Sequence, residues 1–122
     1  MSIRELFRCR YNTKNFHCVH FAILAAKKLY NRDYSSCFIG LTSSLDEAIK
    51  TSRQTANRNK RIDKPIDGCI VLMTYMDNRS HVGIYHENKI LHLCERGVQR
   101  VNIEQAKMWF KRIRYYEPNI CY

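Results

Sequence analysis

From Asp67 onward the chain is written in strands, and this constrains its fold more than any other feature. Residues 69–76 (CIVLMTYM), 81–86 (HVGIYH), 89–94 (KILHLC) and 98–102 (VQRVN) are β-favouring runs. The connections Asp77-Asn78-Arg79-Ser80 and Glu87-Asn88 are short and polar, so consecutive strands must turn back on one another and form an antiparallel meander. A short helix over 104–110 and a last strand over 111–116 complete the expected order. Upstream the pattern is helical. In residues 17–30 Phe21, Ala22, Ala25 and Leu29 recur at helical spacing, Lys27 and Lys28 suit the C-terminal end, and Asn15 or Thr13 is the expected start. Ser44-Leu45-Asp46-Glu47 has capping-box spacing and opens a second expected helix to about Ala56. The basic run over 53–64 reads as a solvated connection into the sheet. Helices first and strands afterwards give an α+β class, one domain over 1–122 with its N-terminal helices packed on an antiparallel β-sheet.

Lys and Arg number 21 against 11 Asp and Glu, a net charge of +10 with neutral histidines, so the surface attracts polyanions without choosing among them. The basic stretch from Arg53 to Arg61 has no interleaved aromatics, and a solvated face is expected there instead of a specific nucleic-acid site. No apolar run approaches the roughly 20 residues of a membrane span, and the opening MSIRELFRCR lacks a hydrophobic signal region. Synthesis in the cytoplasm is the expectation. The six cysteines, at 9, 18, 37, 69, 94 and 121, show no disulfide framework and no CxxC knuckle, so free thiols are expected and neither a metal nor a cofactor is implied. The cluster His17, Cys18 and His20 leaves a metal as a minor reading, although the histidine pair on one helix face supplies only two ligands.

Which cysteine has a base decides the chemistry. Cys18 stands at the expected start of the first helix, where free backbone N–H groups favour thiolate; its bland alternative is a small buried hydrophobe. Cys69 and Cys94 lie within apolar strands, Cys37 and Cys121 beside aromatics, and Cys9 in a basic segment. If strands 81–86 and 89–94 join through Glu87-Asn88, residue 83 faces 92, and alternation puts His81 and His92 on one face as diagonal neighbours. His92 is then able to orient His81 and fix its tautomer. His86 has the opposite parity and is expected at the surface or in a cap, and His17 and His20 are expected at the surface of the helix start.

The segments Asn15-Phe16-His17-Cys18-Val19-His20-Phe21, Lys64-Pro65-Ile66-Asp67-Gly68-Cys69-Ile70-Val71-Leu72-Met73, Ser80-His81-Val82-Gly83-Ile84-Tyr85 and Ile90-Leu91-His92 resemble the NlpC/P60 cysteine peptidases, especially the short phage tail-assembly versions. The resemblance covers most of the chain, including the closing aromatic strand from Ile113 to Tyr116. It implies a papain-like fold with Cys18 as nucleophile, His81 as general base, His92 as the orienting residue and Tyr11 at the oxyanion site. It also implies hydrolysis of peptide bonds in bacterial cell-wall stem peptides through an acyl-enzyme, with peptidoglycan or another anionic wall polymer as partner and delivery by a phage tail or by lysis. The chain departs from the family pattern at His17-Cys18-Val19-His20, where many members carry Asp-Cys followed by Ser-Gly or Trp-Gly, and at Asp67-Gly68, where the usual order is Gly-Asp. These departures bear on substrate choice. Two rival readings are a catalytically silent tail-assembly or glycan-binding module, and a thiol acyltransferase or amidase with another substrate.

Overall fold

The computed structural model describes residues 3–12, 15–38, 56 and 58–119. It is a mixed α+β structure in which one main helix packs on a six-stranded antiparallel sheet. Among the described residues the strands are β1 (Lys60–Ile62), β2 (Ile70–Tyr75), β3 (Ser80–His86), β4 (Lys89–Cys94), β5 (Gly97–Val101) and β6 (Phe110–Glu117), the α-helices are α1 (Cys18–Tyr30) and α2 (Ile103–Ala106), and 3-10 helices span Ile3–Arg8 and Ser35–Phe38. The helix expected from Ser44 lies, but for Ala56, outside the described residues.

Strands β2 to β5 form the expected meander, and the sheet order is β1-β6-β2-β3-β4-β5. The last strand does not extend the meander at β5. It returns to the free edge of β2, with Ile70 opposite Tyr116 and Met73 opposite Ile113. This places β2 inside the sheet, which is why its sequence is an unbroken apolar run instead of an alternating one. Ile70 and Leu72 join one buried cluster, and Val71 and Met73 join another on the opposite face. Two expectations need correction. Part of the supposed connection over 53–64 is strand β1, whose Arg61 pairs with Tyr116 at the sheet edge, a position where exposed cations are favoured. The helix expected over 104–110 is a single turn, because Asn102 caps it in a reciprocal capping box with Gln105 and Phe110 already belongs to β6.

The apolar stripe of α1, formed by Val19, Phe21, Ala22, Ala25 and Ala26, packs on Val82 and Ile84 of β3 and Leu91 and Leu93 of β4. Small Ala side chains let the helix approach the sheet closely, and burial of Phe21 alone contributes about 1.5–3 kcal/mol. The helix ends at Asn31, which adopts the left-handed conformation (φ 54°) and donates its N–H to the carbonyls of Ala26 and Lys27. The β3–β4 hairpin turns through Glu87 (φ 48°) and Asn88 (φ 66°), the double positive φ that a two-residue turn requires. Glu87 tolerates it because its N–H donates to Asp67 Oδ1 at 3.0 Å and its carboxylate meets Arg100 at 3.3 Å.

Candidate active site

The two central strands part at one end of the hairpin, and the candidate residues gather there. The β3–β4 ladder runs from His86↔Lys89 to Ile84↔Leu91, whereas β2–β3 pairing continues to Thr74↔Ser80 and β4–β5 pairing to Cys94↔Gly97. Tyr85 bonds towards β2, so by alternation the Val82 N–H points to the β4 side, where no ladder partner takes it. It lies close enough to the thiol of Cys18 to favour the anion, as do the backbone amides of Val19 and of Cys18 itself. The first residue of α1 is thereby held beside the residue that follows His81.

Helix α1 starts where it does because of two histidines, a signal missed in the sequence. The N-cap is His17, not Asn15 or Thr13: its Nδ1 accepts from Val19 N–H at 3.3 Å, while His20 Nδ1 accepts from His17 N–H at 3.2 Å. Imidazoles here fill the two acceptor roles of a capping box. Both acceptor atoms are Nδ1, so both rings carry their proton on Nε2. His17 is fully buried, contrary to the surface position expected for it, and burial with His20 as neighbour lowers its pKa to about 4. With Nδ1 of both rings occupied by the cap, neither is available at that atom for a metal. Among the described residues no three His, Cys, Asp or Glu side chains converge as a metal site requires.

His81 and His92 are both buried, and His81 Nε2 lies 2.8 Å from His92 Nδ1. Phe110 stacks on His81 at a centroid distance of 6.0 Å, and Tyr75 lies tilted 5.6 Å away. Removal from water lowers His92 to about 4, and burial followed by the proximity of His92 holds His81 well below the ordinary histidine range. Both rings are neutral at pH 7. If His92 Nδ1 accepts, His81 donates from Nε2 and its Nδ1 keeps a basic lone pair. His92 Nε2 has no partner in either tautomer.

Gly83 is what allows the pair to form. A Cβ at this position would stand 2.8 Å from the carbonyl oxygen of Leu91 and 3.1 Å from His92 Cβ, and the first contact is with backbone, which cannot swing aside. Gly83→Ala is therefore expected to cost about 1–3 kcal/mol and to push β4 away from β3. Thermal melting checks the stability, and the histidine ring resonances should lose their mutual hydrogen-bond signature; an unchanged melting curve would contradict this close approach.

A cavity of about 230 Å³ opens beside the pair, walled by Tyr11, Tyr75, Arg79, Ser80, His81 and Cys94, with Glu95 and Arg96 at its side. Tyr11 reaches it because the chain doubles back just before the helix, Asn12 and Phe16 exchanging backbone hydrogen bonds of 2.7 and 3.0 Å. Tyr75 and Cys94 were not singled out from the sequence as site residues. Alternation could have found them, since Cys94 shares the parity of His92 and Tyr75 that of Met73, the partner of His81. Phe38 is core, whereas Phe16 lines a separate apolar groove with His20.

Cys18 itself is 1% exposed and is not a wall of this cavity. Burial pushes its thiol up to about 11, outweighing the three backbone donors that favour the anion. Burial of the helix end thus works against the thiolate expected there. Among the described residues Cys18 and His81 share no hydrogen bond. Cys69 is likewise buried and raised to about 11, and Cys9 is raised by burial.

His86 lies at the other end of β3, part-buried rather than at the surface, with its Nδ1 2.6 Å from Tyr30 Oη. No protein-family model matches the chain, and no curated protein matches it.

Proposed function

We propose that the chain is a thiol hydrolase of the NlpC/P60 type, with a papain-like arrangement, acting on peptide bonds of bacterial cell-wall stem peptides. The observation that carries this reading is the buried His81–His92 pair at 2.8 Å, set where β3 and β4 part and Val82 meets the Cys18 sulfur. A neutral imidazole held by a second ring is suited to take a proton from a neutral thiol as that thiol attacks a carbonyl. In this mechanism Cys18 Sγ forms the acyl bond, His81 receives the thiol proton and returns it to the leaving amine, and water then releases the acid. His92 holds the ring, and Tyr11 Oη donates to the developing oxyanion. The charge of +10 suits work at an anionic wall, with delivery by a phage tail or by release at the envelope.

The closed, un-ionised Cys18 favours a second reading, in which the same fold is a silent tail-assembly or glycan-binding module. Incubating the purified chain with disaccharide-peptide fragments of peptidoglycan, and weighing the products, separates the two. The first reading expects one amide bond to be replaced by its hydrolysis products, and retention of intact fragments with no cleavage supports the module. Cleavage of unrelated thioesters or amides in preference to stem peptides would point to an acyltransferase or amidase instead.

A further inference from the structure

We propose that the end of the sheet bearing Met76, Met108 and Trp109 docks on an anionic lipid bilayer. These are three of the most exposed large apolar side chains among the described residues, at 60%, 75% and 46% of their full accessibility. They stand together: Tyr75 pairs with Phe110 across the β2–β6 ladder, so the residues just beyond, Met76 and Trp109, leave the sheet side by side. Met108 and Trp109 occupy the tight turn between α2 and β6, which is held by backbone hydrogen bonds from their N–H groups to the carbonyls of Gln105 and Ala106. A soluble surface usually places polar residues at such a turn.

Cations surround the apolar tip. Lys107, Lys111 and Arg112 line a groove that includes Met76, and Arg79 lies over the Tyr75 ring at 5.0 Å. Two carboxylates oppose them, Asp77 paired with Arg79 at 2.8 Å and Glu104 paired with Lys107 at 3.4 Å. Lys111 is hydrogen-bonded to the neutral Asn78, and Arg112 has no ion-pair partner among the described residues, so an excess of positive charge remains at the tip. Trp with a polar edge, flexible Met, and Lys or Arg whose stems lie along apolar surface is the combination that settles at the boundary of headgroups and acyl chains. Each cation there strengthens attachment to anionic lipid about fivefold. A glycan or nucleic acid would use the charges and leave the methionines in water. Among the described residues no helix is long and apolar enough to cross a membrane, and docking at the surface needs none. The same end of the sheet carries Tyr75, Arg79 and His81, so attachment would bring the cavity to the bilayer surface. This inference rests on the exposed tip alone and stands whether or not the chain is a hydrolase.

Trp109 is the single tryptophan, so its emission reports the tip directly. Titrating the protein with phosphatidylcholine vesicles carrying phosphatidylglycerol should shift that emission to the blue, co-sediment the protein, and weaken with added salt. The Met76→Ser, Met108→Ser double variant keeps the fluorophore and should bind at least tenfold less; Lys111→Gln with Arg112→Gln should lose a comparable factor. Their melting temperatures, measured in parallel, separate loss of binding from loss of fold. Absence of binding at low salt overturns the proposal. So does binding without a blue shift and without loss in the methionine variant, or an equal blue shift with soluble heparin, since both would mean a polyanion held by charge alone.

Discussion

Acidifying the protein from pH 7.5 to pH 4.5 is expected to remove most of its stability, with the loss beginning near pH 6.5, above the range in which ordinary carboxylates titrate. His17 and His92 each have a folded pKa of about 4 against 6.5 for a free imidazole, and His81 is shifted in the same direction. For each group the folded value is the lower, so the unfolded chain takes up the proton first. The stabilisation is complete above pH 6.5 and is lost as the pH falls towards 4. At 1.36 kcal/mol per unit of pKa, His17 and His92 contribute about 3 kcal/mol each, and together they approach the 5–15 kcal/mol that holds a typical domain folded. The cause is structural in both cases. A proton on His17 Nδ1 turns the helix-cap acceptor into a donor facing Val19 N–H, and a second proton on the His81–His92 pair leaves two N–H groups facing each other. Urea denaturation followed by circular dichroism across this range is the measurement. The His17→Asn variant, which keeps a capping acceptor without a titrating ring, should flatten part of the slope. Equal stability at pH 7.5 and pH 5 would show that these rings are not buried neutral in solution.

What was legible in the sequence was whatever depends on local pattern. The strand runs after Asp67, the Glu87-Asn88 turn and the α1 stripe follow from periodicity and turn chemistry, and the placement of residue 83 opposite 92 follows from hairpin arithmetic. The return of β6 to β2 was not legible, because pairing between residues 70 and 116 is set by tertiary packing and leaves no spacing signal. The His17 cap was missed because histidine is an unusual N-cap, and only burial makes its neutral form, and hence its acceptor, dependable. Burial acts on Cys18 in a related way. A helix start favours thiolate when it faces solvent, and the sequence does not say that this one is covered. Tyr75 and Cys94 became visible beside His81 only once the end at which the strands part was known.

Replacing His81 by Ala is expected to lower turnover about a thousandfold, within the range of a lost general base, while leaving the alkylation rate of Cys18 nearly unchanged. The second half of that expectation comes from the resting state. A thiol raised from 9.0 to about 11 has about a hundredfold less thiolate at pH 7 than an unshifted one. A neutral His81 does nothing to ionise it. Iodoacetamide should therefore label Cys18 slowly at pH 7 and about tenfold faster for each unit of pH up to about 11, in wild type and His81→Ala alike. Turnover should instead level off once the pH exceeds the depressed value of His81, because catalysis needs only the neutral ring and the intact thiol. Cys18→Ala should abolish cleavage with the circular dichroism spectrum preserved, and His92→Ala should fall between wild type and His81→Ala, since loss of the orienting ring frees His81 without removing it. Rapid labelling of Cys18 at pH 6 that disappears in His81→Ala would reverse the assignment. It would mean that thiolate and imidazolium coexist at rest, as they do when solvent reaches both groups, and that the helix start is open in solution.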